Sequence, residues 1–315
     1  MAVGSRAFTL GVLAAVVVLL ALVGTGAWAS PVNSMSVSGG LQPAQEVTET
    51  PAAEIEGFFE ANGRSLYLGC LGTGSPTILL ETGEGGVTPD FHLIHARLAR
   101  LTTTCAYERA NNGRSDSAPM PRTAEDTSND LHALLEVAHV PGPYVLVGTS
   151  AGGILVQAYA RLYPEQIVGV VAMNPVPPAG PWLEAVREVF TDEEYAGELA
   201  YYEGDNWESL DYLTSSEQIA NALPPPEVPF ELLISTDLQC EGYSICLKSY
   251  DIYEQVMAEV AAEWPCGHVS HIATLHNMPN FAPETVIEVV EQVLASVSGN
   301  SGVCSSIEVT AEPQS

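Results

Sequence analysis

The chain has 315 residues, with 39 acidic side chains against 10 basic ones and a formal net charge of −29. Nucleic-acid binding needs a basic footprint, so no nucleic-acid partner is expected, and the acidity bears on solubility rather than on a substrate. The length admits one large core, and apolar runs alternating with amphipathic segments over residues 54–298 predict a single α/β domain.

Residues 1–29 stand apart. Arg6 is the only early charge, Leu10 to Val23 is almost wholly apolar, and Ala27-Trp28-Ala29 places small residues where a signal peptidase cuts. The expectation is a secretory signal peptide and an extracytoplasmic protein. The alternative is an uncleaved anchor over residues 8–28, just long enough to span a bilayer, in which case this segment is the protein's only membrane contact. Residues 30–53, rich in Ser, Pro, Gly, Gln and Thr, read as a disordered linker, and residues 299–315 as a loose tail. Six cysteines in an exported chain invite disulfides, with fifteen possible full pairings. Cys240 and Cys246 could close a short loop. No C-x-x-C pair occurs and the cysteines have no histidines at ligand spacing, so no zinc site is expected.

Glu56–Glu60 and Ser65–Cys70 flank Asn62-Gly63, the signature of a tight hairpin. Gly72–Pro76 breaks the chain before a buried strand, Thr77–Leu80, which ends in Thr82-Gly83-Glu84-Gly85-Gly86. A helix is predicted over His92–Leu101, a strand over Thr102–Tyr107 and a polar loop over Glu108–Pro121. Another helix begins near Thr123, with Leu131, Leu134, Leu135 and Ala138 on one face. The apolar run Tyr144-Val145-Leu146-Val147 then enters Gly148-Thr149-Ser150-Ala151-Gly152-Gly153, and a helical pattern follows at once. Strand, glycine-flanked serine and helix in that order form a nucleophile elbow. Gly148 and Gly152 suit it because a Cβ there would strike the neighbouring strand and helix, while the helix starting at Ala151 presents unpaired N–H groups to a developing oxyanion.

Ile167–Met173 is the next buried strand. Residues 174–229 then change character, with Pro177-Pro178 and Pro224-Pro225-Pro226 bracketing Trp182, Tyr195, Tyr201, Tyr202, Trp207 and Tyr212. They read as a helical insertion suited to be a lid over an apolar pocket. The regular pattern resumes with a strand at Phe230–Ser235, a helix at Tyr250–Trp264, a last strand at Val269–Leu275, and a helix opened by Pro283.

This order of elements resembles the α/β-hydrolase superfamily, and within it the lidded bacterial esterase and haloperoxidase-like branch. The resemblance covers residues 55–297. Besides the elbow it rests on Cys70-Leu71-Gly72-Thr73-Gly74-Ser75-Pro76, Glu81-Thr82-Gly83, Tyr107-Glu108-Arg109-Ala110 with Gly113-Arg114-Ser115-Asp116, and His276 with Pro283-Glu284. It implies an eight-stranded, mostly parallel sheet with helices on both faces and a helical lid after the sixth strand. The chain departs from the family at Glu108, usually Asp; at Asn111, usually Gly; at Thr149, commonly His; and at Asn174, often acidic.

The resemblance also implies a triad in the order Ser, acid, His, because a serine hydroxyl needs a base and the base an orienting group. Ser150 is the expected nucleophile. His92, His95, His132 and His139 precede the elbow; of the remaining three, His276 follows the last strand, at the sheet edge where Ser150 emerges, and is the expected base. Asp237, two residues beyond the seventh strand, is the expected acid, with the place now held by Asn174 as the alternative. The backbone N–H groups of Ala151 and Glu84 are the expected oxyanion hole, which requires the Glu84 carboxylate to turn away to solvent. Ser150 argues against epoxide hydrolases and haloalkane dehalogenases, which carry aspartate at the elbow. The usual sheet order sets the second and fourth strands side by side, which implies a Cys70–Cys105 disulfide. The expectation is an exported serine hydrolase acting on a small-molecule ester without a cofactor. The alternatives are an aminopeptidase, lipase or perhydrolase, or a catalytically silent binding protein.

Overall fold

The computed structural model describes residues 53–237, 244–298 and 304. The expected leader, almost all of the linker, Cys240, the side chain of Cys246 and the tail other than Cys304 lie outside the described residues. Eight strands form one sheet: β1 (Ala53–Ala61), β2 (Arg64–Leu71), β3 (Thr77–Glu81), β4 (Thr104–Tyr107), β5 (Tyr144–Thr149), β6 (Ile167–Met173), β7 (Pro229–Ser235) and β8 (Cys266–Ile272). Their order is β1-β2-β4-β3-β5-β6-β7-β8. β2 runs antiparallel to β1 and β4, and every other pairing is parallel. The β1–β2 turn holds Asn62 and Gly63 at φ of 51° and 76°, the paired left-handed conformation that a two-residue hairpin requires.

Nine helices accompany the described strands: α1 (His95–Leu98), α2 (Ala124–Val137), α3 (Ala151–Leu162), α4 (Ala179–Val186), α5 (Asp192–Tyr202), α6 (Tyr212–Asn221), α7 (Ser244–Glu263), α8 (Met278–Phe281) and α9 (Pro283–Ser298). Alternation along the central strands divides the core in two. Leu79, Leu146, Val170 and Leu232 face Leu134, Val156 and Met257 of α2, α3 and α7. Ile78, Val145, Val147 and Val171 face Leu98 of α1 and Val286, Val290 and Val293 of α9. Each such aliphatic side chain contributes about 1.5–3 kcal/mol when fully buried. Both faces being covered explains why β5 is buried along its whole length instead of alternating with polar residues. Thr123 caps α2 reciprocally with Asp126, and Thr191 caps α5 with Glu194.

Boundaries differ from the sequence expectation in several places. The helix expected over 92–101 is a short 3₁₀ turn, Thr88–Phe91, followed by one turn of α1. The helix expected from Tyr250 starts at Ser244. The last strand is Cys266–Ile272, three residues earlier than expected, because its register is set by pairing from Pro229↔Cys266 to Ser235↔Ile272 rather than by the apolar run. Between β6 and β7 the helices α4, α5 and α6 enclose a separate core built on Trp182, Leu183, Val186, Phe190, Tyr202 and Tyr212. Among the described residues no helix is long and apolar enough to cross a membrane.

Candidate active site

At the end of β5 the chain reverses within one residue. Ser150 sits at φ 54° and ψ −120°, a conformation that non-glycine residues adopt only under strain. The strain is held by close packing at Gly148 and Gly152. A Cβ on Gly148 would lie 2.3 Å from Gly152 O, and one on Gly152 would lie 2.3 Å from Glu81 O. Ser150 is thereby lifted onto the carboxyl edge of the sheet, and its N–H donates to Met173 O of β6 at 2.9 Å.

The turn after β3 comes up beside it. A Cβ on Gly83 would stand 3.3 Å from Ser150 Cβ, a tight contact, so glycine eases the approach of this backbone to the serine. Neither the Glu84 N–H nor the Ala151 N–H is bonded to an acceptor among the described residues. Ala151 is the first residue of α3, whose free N–H groups favour negative charge. The Glu84 carboxylate does not turn to solvent as expected. It accepts hydrogen bonds from Tyr201 OH of α5 and, at 2.6 Å, from Tyr212 OH of α6. The insertion therefore holds the carboxylate that belongs to the turn beside Ser150.

Beneath this turn lies a buried charge network that sequence reasoning missed. Arg109, 3% exposed, pairs with Glu81 at the end of β3 and, at 2.6 Å, with Glu208 in the loop between α5 and α6. Its guanidinium also donates to Thr82 O at 2.9 Å and to Gly83 O at 2.6 Å. Glu208 in turn accepts the Gly85 N–H at 3.0 Å. Burial alone would push the Glu208 carboxyl up, yet Arg109 holds it below the usual range, whereas burial wins at Glu81 and raises it. Arg109 lay in a family-like motif, Tyr107-Glu108-Arg109-Ala110, but its partners are 28 and 99 residues away.

Of the three late histidines, His268 Nδ1 lies 3.0 Å from Glu231 within the sheet and His271 Nε2 lies 3.1 Å from Glu254 of α7. His276 stands four residues beyond β8 and lines the same cavities as Ser150. Its ring is open to the cleft and makes no hydrogen bond to a described residue, but the surrounding protein lowers its pKa by desolvation. Asp237 is on the adjoining strand end, where its N–H donates to Thr274 O at 3.2 Å, two residues before His276. The Asp237 side chain is exposed and bonded to no described residue. Asn174, the other place considered for an acid, is buried at φ 42° and already engaged. Its Nδ2 donates to His276 O at 2.9 Å, and its Oδ1 accepts from Ser235 N at 2.8 Å and Ser235 Oγ at 3.1 Å. It ties the ends of β6 and β7 to the histidine loop. Ser150 and His276 thus line one cleft.

Cys70 and Cys105 are bonded to each other, opposite one another on β2 and β4. A second disulfide joins Cys266 at the start of β8 to Cys304.

A family model described as the α/β hydrolase fold matches residues 76–216. Among curated relatives, a probable transporter of Hormonema carpetanum, efuK, is 33% identical over 105 residues, covering 32% of this chain and 15% of the relative. An AB hydrolase superfamily protein of Gibberella zeae is 28% identical over 99 residues, 31% of each. The chain thus spans well under half the length of these relatives. Among solved structures, the enol-lactonase of Burkholderia xenovorans superposes with a TM-score of 0.55 at 17% identity, over 76% of this chain and 100% of that one.

Proposed function

Because this chain has the α/β-hydrolase fold, we propose that it is a serine hydrolase cleaving carboxylic esters of small molecules through an acyl-enzyme. Ser150 attacks the ester carbonyl, His276 takes its proton and returns it to the leaving alcohol, and Asp237 orients the imidazole. The Ala151 and Glu84 N–H groups receive the oxyanion. Water then repeats the sequence on the acyl group. The observation that carries the reading is the Ser150 elbow: a strained serine on a helix N-terminus, with a glycine turn at its side and His276 in the same cleft. The leader-like residues 1–29 and two disulfides favour an extracytoplasmic location, which fractionation of the producing cell tests.

Ser150→Ala is expected to keep the fold and abolish both ester turnover and stoichiometric labelling by a fluorophosphonate. Comparable triads lose about 10⁶ in kcat on nucleophile removal. Wild-type protein that neither labels nor turns over esters would instead favour a binding protein on this fold.

A further inference from the structure

Two lobes of the cleft meet at Ser150, Tyr201 and His276. One, of about 400 Å³, is bordered by Glu84 and Asp90, with Trp207 at its mouth 93% exposed. The other, of about 330 Å³, lies between the insertion and α7 and is walled by Trp182, Tyr201, Tyr202, Tyr250 and Tyr253. Tyr202 OH donates to Pro177 O and Tyr253 OH to Pro175 O, each at 2.9 Å. With those hydroxyls engaged, both side chains offer the cavity mainly aromatic carbon. The Trp182 and Tyr253 rings stand 6.3 Å apart at 84°, edge to face, so the walls are not one flat stack.

Into this aromatic lobe projects a carboxylate. Glu198 Oε1 accepts the Trp182 indole N–H at 2.6 Å, and desolvation raises its pKa. Among the described residues no arginine or lysine lines either lobe. The nearest cationic side chains of the insertion and α7 have other carboxylates: Arg187 pairs with Asp192 and Lys248 with Glu194. A carboxylate set among aromatic rings without a counter-ion is unfavourable alone, and is the arrangement an organic cation satisfies.

Resting on the serine-hydrolase reading, we propose that the aromatic lobe of the Ser150 cleft binds an organic ammonium, so that the preferred substrates are esters carrying a cationic group. The rings receive the alkylated ammonium, Glu198 neutralises it, and Glu84 and Asp90 make the opposite lobe hospitable to positive charge and hostile to anionic esters.

The test compares choline acetate with its neutral isostere, 3,3-dimethylbutyl acetate, which has the same shape and differs by one charge. Wild-type kcat/KM is expected to favour the cationic ester by about tenfold or more, the range open to cation–π and ionic contacts in a desolvated site. Glu198→Gln is expected to reduce that ratio toward one. Equal kcat/KM for the two esters in the wild type, or a preference that Glu198→Gln leaves in place, overturns the proposal. Calorimetric titration with choline separates it from the hydrolase reading. If neither ester is cleaved the hydrolase reading falls, and saturable choline binding weakened by Glu198→Gln still supports the cation site. No saturable binding overturns the cation site, whatever the esters do.

Discussion

At the residue scale the proposed chemistry turns on His276 and on what holds it. An imidazole accepts the Ser150 proton only when neutral, and desolvation at the cleft disfavours its charged form. The neutral, active fraction therefore persists to lower pH than for an exposed histidine. The rising limb of kcat/KM against pH is expected to have an apparent pKa below about 6.5 and to be flat through neutrality. A limb above pH 7 would contradict the desolvated base. Asp237 is exposed and unbonded to any described residue, so its role depends on the imidazole turning toward it when substrate is bound. Asp237→Asn is expected to lower the acylation rate by about 10⁴ with little change in KM, the result of losing the orienting acid. Stopped-flow acylation measures this, and a near-normal variant removes Asp237 from the triad. Asn174 is a poor substitute acid: an aspartate there would set a carboxylate against the His276 carbonyl, where Nδ2 now donates.

At the element scale the insertion is part of the site. Tyr201 and Tyr212 hold Glu84, and Glu208 shares Arg109 with the end of β3. One buried cation between two buried carboxylates makes the two kinds of deletion unequal. Arg109→Met leaves Glu81 and Glu208 facing each other without a cation and is expected to destabilise by about 3–5 kcal/mol. Glu208→Gln leaves Arg109 paired with Glu81 and is expected to lose about 1–2 kcal/mol. Urea denaturation of both variants checks the ranking. If Glu208→Gln is the more damaging, Glu81 alone does not compensate the buried Arg109 charge, in line with the raised Glu81 and lowered Glu208 carboxyls.

At the scale of the whole molecule, disulfides reach across long stretches of chain. Cys70–Cys105 spans a sequence separation of 35 and Cys266–Cys304 one of 38. In the chain-entropy account, a closed loop of this length is worth about 3–4 kcal/mol. The Cys70→Ser, Cys105→Ser double variant is expected to unfold at lower temperature by a corresponding amount. Peptide mapping without reduction is expected to recover residues 70 and 105 as one linked species. Free thiols from oxidised protein would contradict the pairing.

Sequence by itself determined the strand–Ser150–helix elbow, the Asn62-Gly63 hairpin, the Thr123 helix start and the alternation of strands and helices. These are local: a glycine that only a tight approach demands, a cap three residues from its partner, an apolar period along one element. Boundaries failed where pairing overrode pattern, as at β8, whose register follows β7. The proposed nucleophile and base were legible because one precedes a helix and the other follows the last strand. What only the tertiary structure decided lies between distant segments. The Glu84 carboxylate is directed by tyrosines 117 and 128 residues further on, Arg109 is matched by Glu208, 99 residues away, and Asn174 reaches His276 across 102 residues. No periodicity links such positions. Their partnership follows from the carboxyl ends of β3, β5, β6, β7 and β8 converging on one edge, where burial obliges each polar group to find another.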